Sequence, residues 1–223
     1  MTNFKRKAQR MVELFIASRG IKDQRVLDAM LEVPRHKFVD PGFQEIAYGD
    51  HALPIGEGQS ISNPYTVAKM IESLGLEGFE KVLEVGGGSA YQAAILSRLA
   101  GEVYSVERLG RLASRARKTL MSIGYGNVLL KVGDGSLGWK DKAPFDAVIV
   151  GAASPSVPEE LLYQVKDGGC VVIPIDKNGS QRLIKYIRHG NKIHHQDIGK
   201  CEFVPLIGAQ GWKEGELNAQ KKL

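Results

Sequence analysis

From residue 80 onward, short apolar runs alternate with amphipathic stretches, and this alternation restricts the fold more than any other feature of the chain. Segments 81–85, 103–106, 128–132, 145–150 and 171–175 read as strands, and 91–99, 109–122 and 158–165 read as helices. Strands and helices that alternate at this spacing predict an α/β protein with a parallel, doubly wound sheet. The pattern changes near the end, where 183–187, the turn 189–192 and 193–204 predict an antiparallel hairpin added to that sheet. Ahead of the sheet, 4–33 reads as helical. Asp23 caps a second helix that has Val26, Leu27, Met30 and Leu31 on one face and Pro34 as its stop. Segment 35–61 has no clear period and carries Pro41, Gly49, Pro54, Gly56 and Gly58, so an ordered loop is expected there. An irregular stretch of that length inside a compact protein is often functional. Pro64 then opens a helix with Ser62 or Asn63 as its cap. The expected arrangement is one structural domain, in which 1–78 packs on a core of 79–212 and 213–223 forms a frayed tail.

Composition removes several classes. The chain has 223 residues, 43% hydrophobic and 25% charged, which excludes disordered and collagen-like chains. The net charge of +5 is too mild to argue for nucleic acid. Two cysteines exclude a disulfide framework, and both Cys170 and Cys201 read as packing residues, which suits a reduced cytoplasm. The basic start Lys5-Arg6-Lys7 is followed by an apolar stretch that Glu13 breaks, so neither a signal peptide nor a membrane span is expected. His189, His194 and His195 lack metal-ligand spacing, and no metal is expected.

The turn Glu84-Val85-Gly86-Gly87-Gly88-Ser89-Ala90 joins the first strand to its helix. In an open parallel sheet that turn borders the binding crevice, where small residues admit a ligand close to free backbone N–H groups. A dinucleotide fingerprint fails at Ser89 and Tyr91, and no Gly-Lys-Ser/Thr follows to make a P-loop. What remains is E-x-G-x-G-x-A. Glu107 ends the second strand and either accepts ribose hydroxyls or caps the next helix. Asp134 sits between two glycines at the end of the third strand, as a turn residue or as a contact to adenine.

These residues resemble the S-adenosylmethionine-dependent methyltransferases and are consistent with a Rossmann-like sheet. The upstream segments narrow the resemblance. Val33-Pro34-Arg35-His36-Lys37-Phe38-Val39, Ala47-Tyr48 and above all Leu53-Pro54-Ile55-Gly56-Glu57-Gly58-Gln59-Ser60-Ile61-Ser62-Asn63-Pro64-Tyr65 look like the protein-L-isoaspartate O-methyltransferase family. So do Tyr91-Gln92-Ala93-Ala94, Gly133-Asp134-Gly135 and Phe203-Val204-Pro205-Leu206. The chain departs from the family's usual residues at Ser60, Gly87 and Ala90. The resemblance implies S-adenosylmethionine as cofactor and S-adenosylhomocysteine as product. It implies that Glu84, Gly86, Gly88 and Ser89 line the methionine and ribose side. Glu107 then takes the ribose hydroxyls with Arg108 beside the adenine, and Asp134 and Gly135 hold the adenine edge. Ile55, Gly56, Glu57 and Gly58 cover the cofactor, and Ser62 is the active-site serine, with Ser60 and Asn63 beside it on the substrate.

The implied substrate is the free α-carboxylate of an L-isoaspartyl residue in a damaged protein or peptide. A carboxylic acid of pKa ~4 is already ionised at neutral pH, so no general base is required and the task is positional. The methyl ester is expected to cyclise to a succinimide, whose hydrolysis returns some normal aspartate. A nucleotide-dependent oxidoreductase, a methyltransferase of RNA or a small molecule, and a binding module without activity are the competing readings. A cytoplasmic monomer that binds neither nucleic acid nor membrane is expected.

Overall fold

The computed structural model describes residues 3–215. Helix α1 (Asn3–Met11) continues through a π turn at Val12–Ile16 and a 3-10 turn at Ala17–Arg19. Asp23 then caps α2 (Gln24–Glu32), its carboxylate accepting from Arg25 N–H at 2.9 Å. Segment 35–61, expected as loop, holds two 3-10 turns, Arg35–Phe38 and Pro41–Ile46, and a small antiparallel hairpin of β1 (Leu53–Gly56) and β2 (Gln59–Ile61). Helix α3 (Pro64–Glu72) follows at once.

The large sheet contains β3 (Lys81–Val85), β4 (Glu102–Glu107), β5 (Val128–Val132), β6 (Phe145–Val150), β7 (Val165–Lys177), β8 (Ser180–His189) and β9 (Lys192–Lys200). Helices α4 (Tyr91–Leu96), α5 (Gly110–Ser122) and α6 (Glu159–Tyr163) complete the core. The strand order is β5-β4-β3-β6-β7-β8-β9. The first five strands in that order are mutually parallel, and β8 and β9 are antiparallel additions. The doubly wound sheet and the added hairpin therefore stand as expected from the sequence.

Successive strand residues point to opposite faces, so the apolar runs feed two cores. Val82, Val103, Ile149 and Val172 pack with Met11, Ile16, Met30, Val67 and Ile71 of the N-terminal helices. Leu83, Val85, Val148, Val150 and Ile173 pack on the other face with Leu161 of α6. Several boundaries differ from expectation: α6 ends at Tyr163 instead of 165, β8 extends to 180–189, and β9 stops at Lys200 instead of 204. Helix α4 ends at Leu96, before 97–99. Strand β7 starts at Val165 instead of 171, because Val165 pairs with Phe145 and 170–177 pair along β8. The expected frayed tail at 216–223 lies outside the described residues; of 213–215, Glu214 meets Arg108 at 3.6 Å.

Candidate active site

The chain winds from β3 to β4 and β5 on one side of the sheet, then returns to β6 and β7 on the other. The reversal opens a crevice beyond the carboxyl ends of β3 and β6. Gly86 and Gly151 meet there: Gly151 N–H donates to Val85 O at 2.8 Å and Gly86 N–H to Val106 O at 2.8 Å. Gly86 has φ +82°, a left-handed conformation that favours glycine. Gly87 is required for space. A Cβ there would overlap the Ser105 hydroxyl and lie 3.3 Å from Glu84 Oε2.

Two acidic side chains flank this turn. Glu84 is fully buried; Ser105 Oγ donates to its Oε2 at 2.6 Å, and its Oε1 has no partner. Burial pushes the Glu84 carboxyl up to about 8; the Ser105 hydrogen bond opposes the rise and the charge of Glu107 adds to it. Glu107 accepts from Gly88 N–H through Oε2 and from Leu109 N–H through Oε1, both at 2.8 Å. It thus fixes the glycine turn and also holds Leu109, the residue that leads into α5. Each carboxylate oxygen keeps a lone pair for a further donor.

The hairpin and the start of α3 form the opposite wall. Asn63 is the cap of α3: Oδ1 accepts from Tyr65 N–H at 2.8 Å and Thr66 N–H at 3.4 Å. Its Nδ2 donates to Asp50 Oδ1 at 2.7 Å, and Asp50 is paired with Arg19. The two caps that the sequence leaves open are thereby separated, because the Ser62 hydroxyl is not used to cap the helix.

The hollow has two lobes that share Ser60, Gly86, Gly88 and Gly151 in their walls. One runs past Glu107, Arg108 and Gly135 to Pro205 and Leu206. The other is bounded by Ser62, Glu84, Ser89, Tyr91 and Gln92. Asn63 lies beyond this wall, on a neighbouring surface groove. Ile55 is buried against Gly88, whereas Gly56, Glu57 and Gly58 form the hairpin turn and line neither lobe; Glu57 faces Arg111 at 3.4 Å. Asp134 is also outside both walls. It accepts from Ser136 N–H at 2.9 Å, Ser136 Oγ at 2.7 Å and Ala209 N–H at 2.7 Å, tying the end of β5 to the C-terminal segment. Gln59, Gln92, Gly151 and the 204–207 segment line the hollow without having been singled out as site residues. Gln59, Gln92 and 204–206 lie within the motifs quoted above, whereas nothing in the sequence marks Gly151. Among the described residues, no three His, Cys, Asp or Glu side chains cluster.

The donor set fits S-adenosylmethionine. Glu84 Oε1 is a buried acceptor without a donor, a position that the ammonium of an amino-acid end would satisfy. The lobe by Glu107 is lined by Gly86, Gly88, Gly135 and Gly151 together with Pro205 and Leu206, a lining of mixed polar and apolar character that suits a nucleoside.

Residues 6–211 match the family described as protein-L-isoaspartate(D-aspartate) O-methyltransferase. Protein-L-isoaspartate O-methyltransferase 1 of Syntrophobacter fumaroxidans is 49% identical over 213 residues, 96% of this chain and 100% of that protein. Protein-L-isoaspartate O-methyltransferase 2 of Geotalea uraniireducens is 53% identical over 95% of this chain and 98% of its own length. A solved protein-L-isoaspartate O-methyltransferase superposes with TM-score 0.84 at 27% identity, over 92% of this chain and 67% of that one. A Plasmodium falciparum structure described as a complex with S-adenosyl-L-homocysteine shares the fold, with TM-score 0.78 at 23% identity over 93% and 99% of the two chains.

Proposed function

Because the chain belongs to the protein-L-isoaspartate(D-aspartate) O-methyltransferase family, we propose that the lobe at Glu107 and the turn hold the cofactor and that Ser62 seats the substrate carboxylate. The protein is a repair enzyme that transfers a methyl group from S-adenosylmethionine to the free α-carboxylate of L-isoaspartyl residues. When bound, S-adenosylmethionine supplies a methyl group activated by a cationic sulfur.

This chain's residues have a positional task. Glu107 receives the ribose hydroxyls while it keeps the glycine turn closed on itself, and Arg108 borders the adenine. Glu84 takes the ammonium of the amino-acid end, and Ser89 lines the same end. Ile55 packs behind the turn, and Gly56, Glu57 and Gly58 shape the hairpin that carries Ser60 to the hollow. Asp134 acts at one remove, by holding Gly135 and the C-terminal segment in place. Ser62 donates to the carboxylate oxygen that is not attacking. The aligned peptide dipoles of α3 add partial positive charge at its start, which favours an anion there. No residue has to remove a proton, since the nucleophile arrives ionised.

The observation that supports this reading is the capping of α3 by Asn63, which releases the Ser62 hydroxyl from a structural duty. Ser62→Ala is expected to lower kcat for an isoaspartyl peptide by ~10–100-fold, below the full effect of a lone oxyanion donor because the α3 dipole shares the load. S-adenosylhomocysteine affinity and the thermal midpoint should stay at the wild-type values. A Ser62→Ala protein with wild-type turnover removes the role.

A further inference from the structure

Among the described residues, the largest fully buried side chain is charged: Arg35, in the 3-10 turn after α2. Its Nε donates to Ala47 O at 2.7 Å and its Nη2 to Ser62 O at 2.7 Å. Its guanidinium lies over the Tyr91 ring at 4.7 Å from the centroid, and Nη1 has no hydrogen-bond partner. No ion pair among the described residues includes it. The groups that act on it electrostatically are the phenols of Tyr91 and Tyr48, both pushed up to about 12 by burial and therefore uncharged. Arginine does not give up its proton in a protein, so this spot holds a net positive charge out of water. A buried charge without a counter-ion is strongly unfavourable on its own.

The Ser62 lobe has the opposite deficit. Its walls contain one carboxyl group, that of Glu84, and no Lys, Arg or His. A substrate carboxylate seated at Ser62 therefore meets no cation in the lining. Ser62 and Tyr91 both line that lobe and both touch Arg35 from behind.

We propose that Arg35 is a positioning residue and buried countercharge for the isoaspartyl carboxylate, acting through the Ser62–Asn63 peptide and across the Tyr91 ring; this rests on the reading of Ser62 as the carboxylate's seat. The two roles have separate physical origins. Donation to the Ser62 carbonyl fixes that peptide and polarises it, so its other end, Asn63 N–H, becomes a stronger donor at the start of α3. The charge itself acts over several ångströms because the intervening space is low-dielectric protein. Each buried charge relieves the other: the substrate anion neutralises Arg35, and Arg35 offsets the desolvation of the anion.

The test uses two peptides that differ at one group, an isoaspartyl peptide and the same peptide with its α-carboxylate replaced by a carboxamide. Binding of both is measured with S-adenosylhomocysteine present, together with KM and kcat for the acid. The wild type is expected to prefer acid over amide by at least tenfold. Arg35→Gln should lose most of that preference and raise KM at least tenfold, with S-adenosylhomocysteine affinity within twofold of wild type. Arg35→Lys keeps the charge and should keep the preference, even where its turnover falls. An unchanged acid-to-amide ratio in Arg35→Gln overturns the proposal, and so does loss of the preference in Arg35→Lys. If Arg35→Gln does not fold, the wild-type ratio still decides, since no preference for the acid leaves nothing for a countercharge to explain. A wild type that does not methylate the isoaspartyl peptide at all refutes the functional reading itself, which is a distinct outcome.

Discussion

The serine and asparagine that precede α3 are alike in the sequence as helix caps, and the structure separates their duties. Asn63→Ala removes the side chain that receives Tyr65 N–H and Thr66 N–H and also releases Asp50. Stability should fall by about 1 kcal/mol, seen as a lower thermal midpoint, whereas Ser62→Ala should leave it unmoved. Gly87 and Ser105 form a second linked pair. Gly87→Ala alone places a methyl group on the Ser105 hydroxyl and should cost roughly 1–3 kcal/mol. In a Ser105→Ala background the same change should cost much less, a coupling that a double-mutant cycle on unfolding free energy reads directly. Glu84 gives a pH signature. Its carboxyl rises from the ordinary glutamate value of about 4.5 to about 8 in the folded protein. Between those values the folded state keeps a proton that the unfolded state releases, so stability contributed by this group declines as pH rises from about 4.5 to about 8. Glu84→Gln removes that slope, and its thermal midpoint relative to wild type should climb across the window. A constant difference between the two proteins contradicts a neutral buried Glu84.

The elements differ in how much of them can be read from the sequence. Strands β3, β4 and β6 are buried on both faces, so each stands out as a mostly apolar run, broken only by Glu84 in β3, Ser105 in β4 and Asp146 in β6 and by polar residues at the strand ends. Asp23 and Pro64 mark their helix starts by chemistry that acts within a few residues. The β1–β2 hairpin has no such local mark. Its strands have four and three residues, Pro54 interrupts one, and the register shifts between Pro54 and Gly56. Two short strands cannot display a period, and contacts far along the chain hold the hairpin in place. Arg115 of α5 donates to Ile55 O and, at 3.0 Å, to Asp40 Oδ1. The site is legible to the same degree. Glu84, Gly86 and Gly88 follow from the turn after the first strand and Glu107 from the end of the second, whereas Arg35 lies in the quoted 33–39 segment but reaches Ser62 across 27 positions, a contact that no local pattern marks. Asp134 shows the converse, since its sequence position suits a ligand contact while its carboxylate is bound within its own turn and to Ala209. If the hairpin depends on Arg115, then Arg115→Ala should speed amide exchange in 53–61 and leave β3 and β6 protected. Cofactor binding should weaken by about 1 kcal/mol, the worth of one such hydrogen bond.

At the scale of the whole molecule, the N-terminal helices and one face of the sheet share a single apolar cluster that runs from Met11 and Met30 to Ile149 and Val172. No helix among the described residues is long and apolar enough to cross a membrane. We propose that 1–78 and the sheet unfold as one unit, because neither can expose that cluster alone. Circular dichroism of the helices and fluorescence of Trp139, which lies on the opposite face of the sheet, should then report one coincident thermal transition. In the proposed function that unity also serves catalysis, since Ser62 and Arg35 come from the N-terminal part, Glu84 and Glu107 come from the sheet, and the hollow is lined by both. In the proposed function, this hollow methylates an isoaspartyl carboxylate which arrives ionised. Incubation with methyl-labelled S-adenosylmethionine and paired peptides that differ only in an aspartyl or isoaspartyl linkage tests it directly. Base-labile label on the isoaspartyl peptide and none above background on the aspartyl one is the expected result. Equal labelling of the two peptides, or label that survives base, contradicts it.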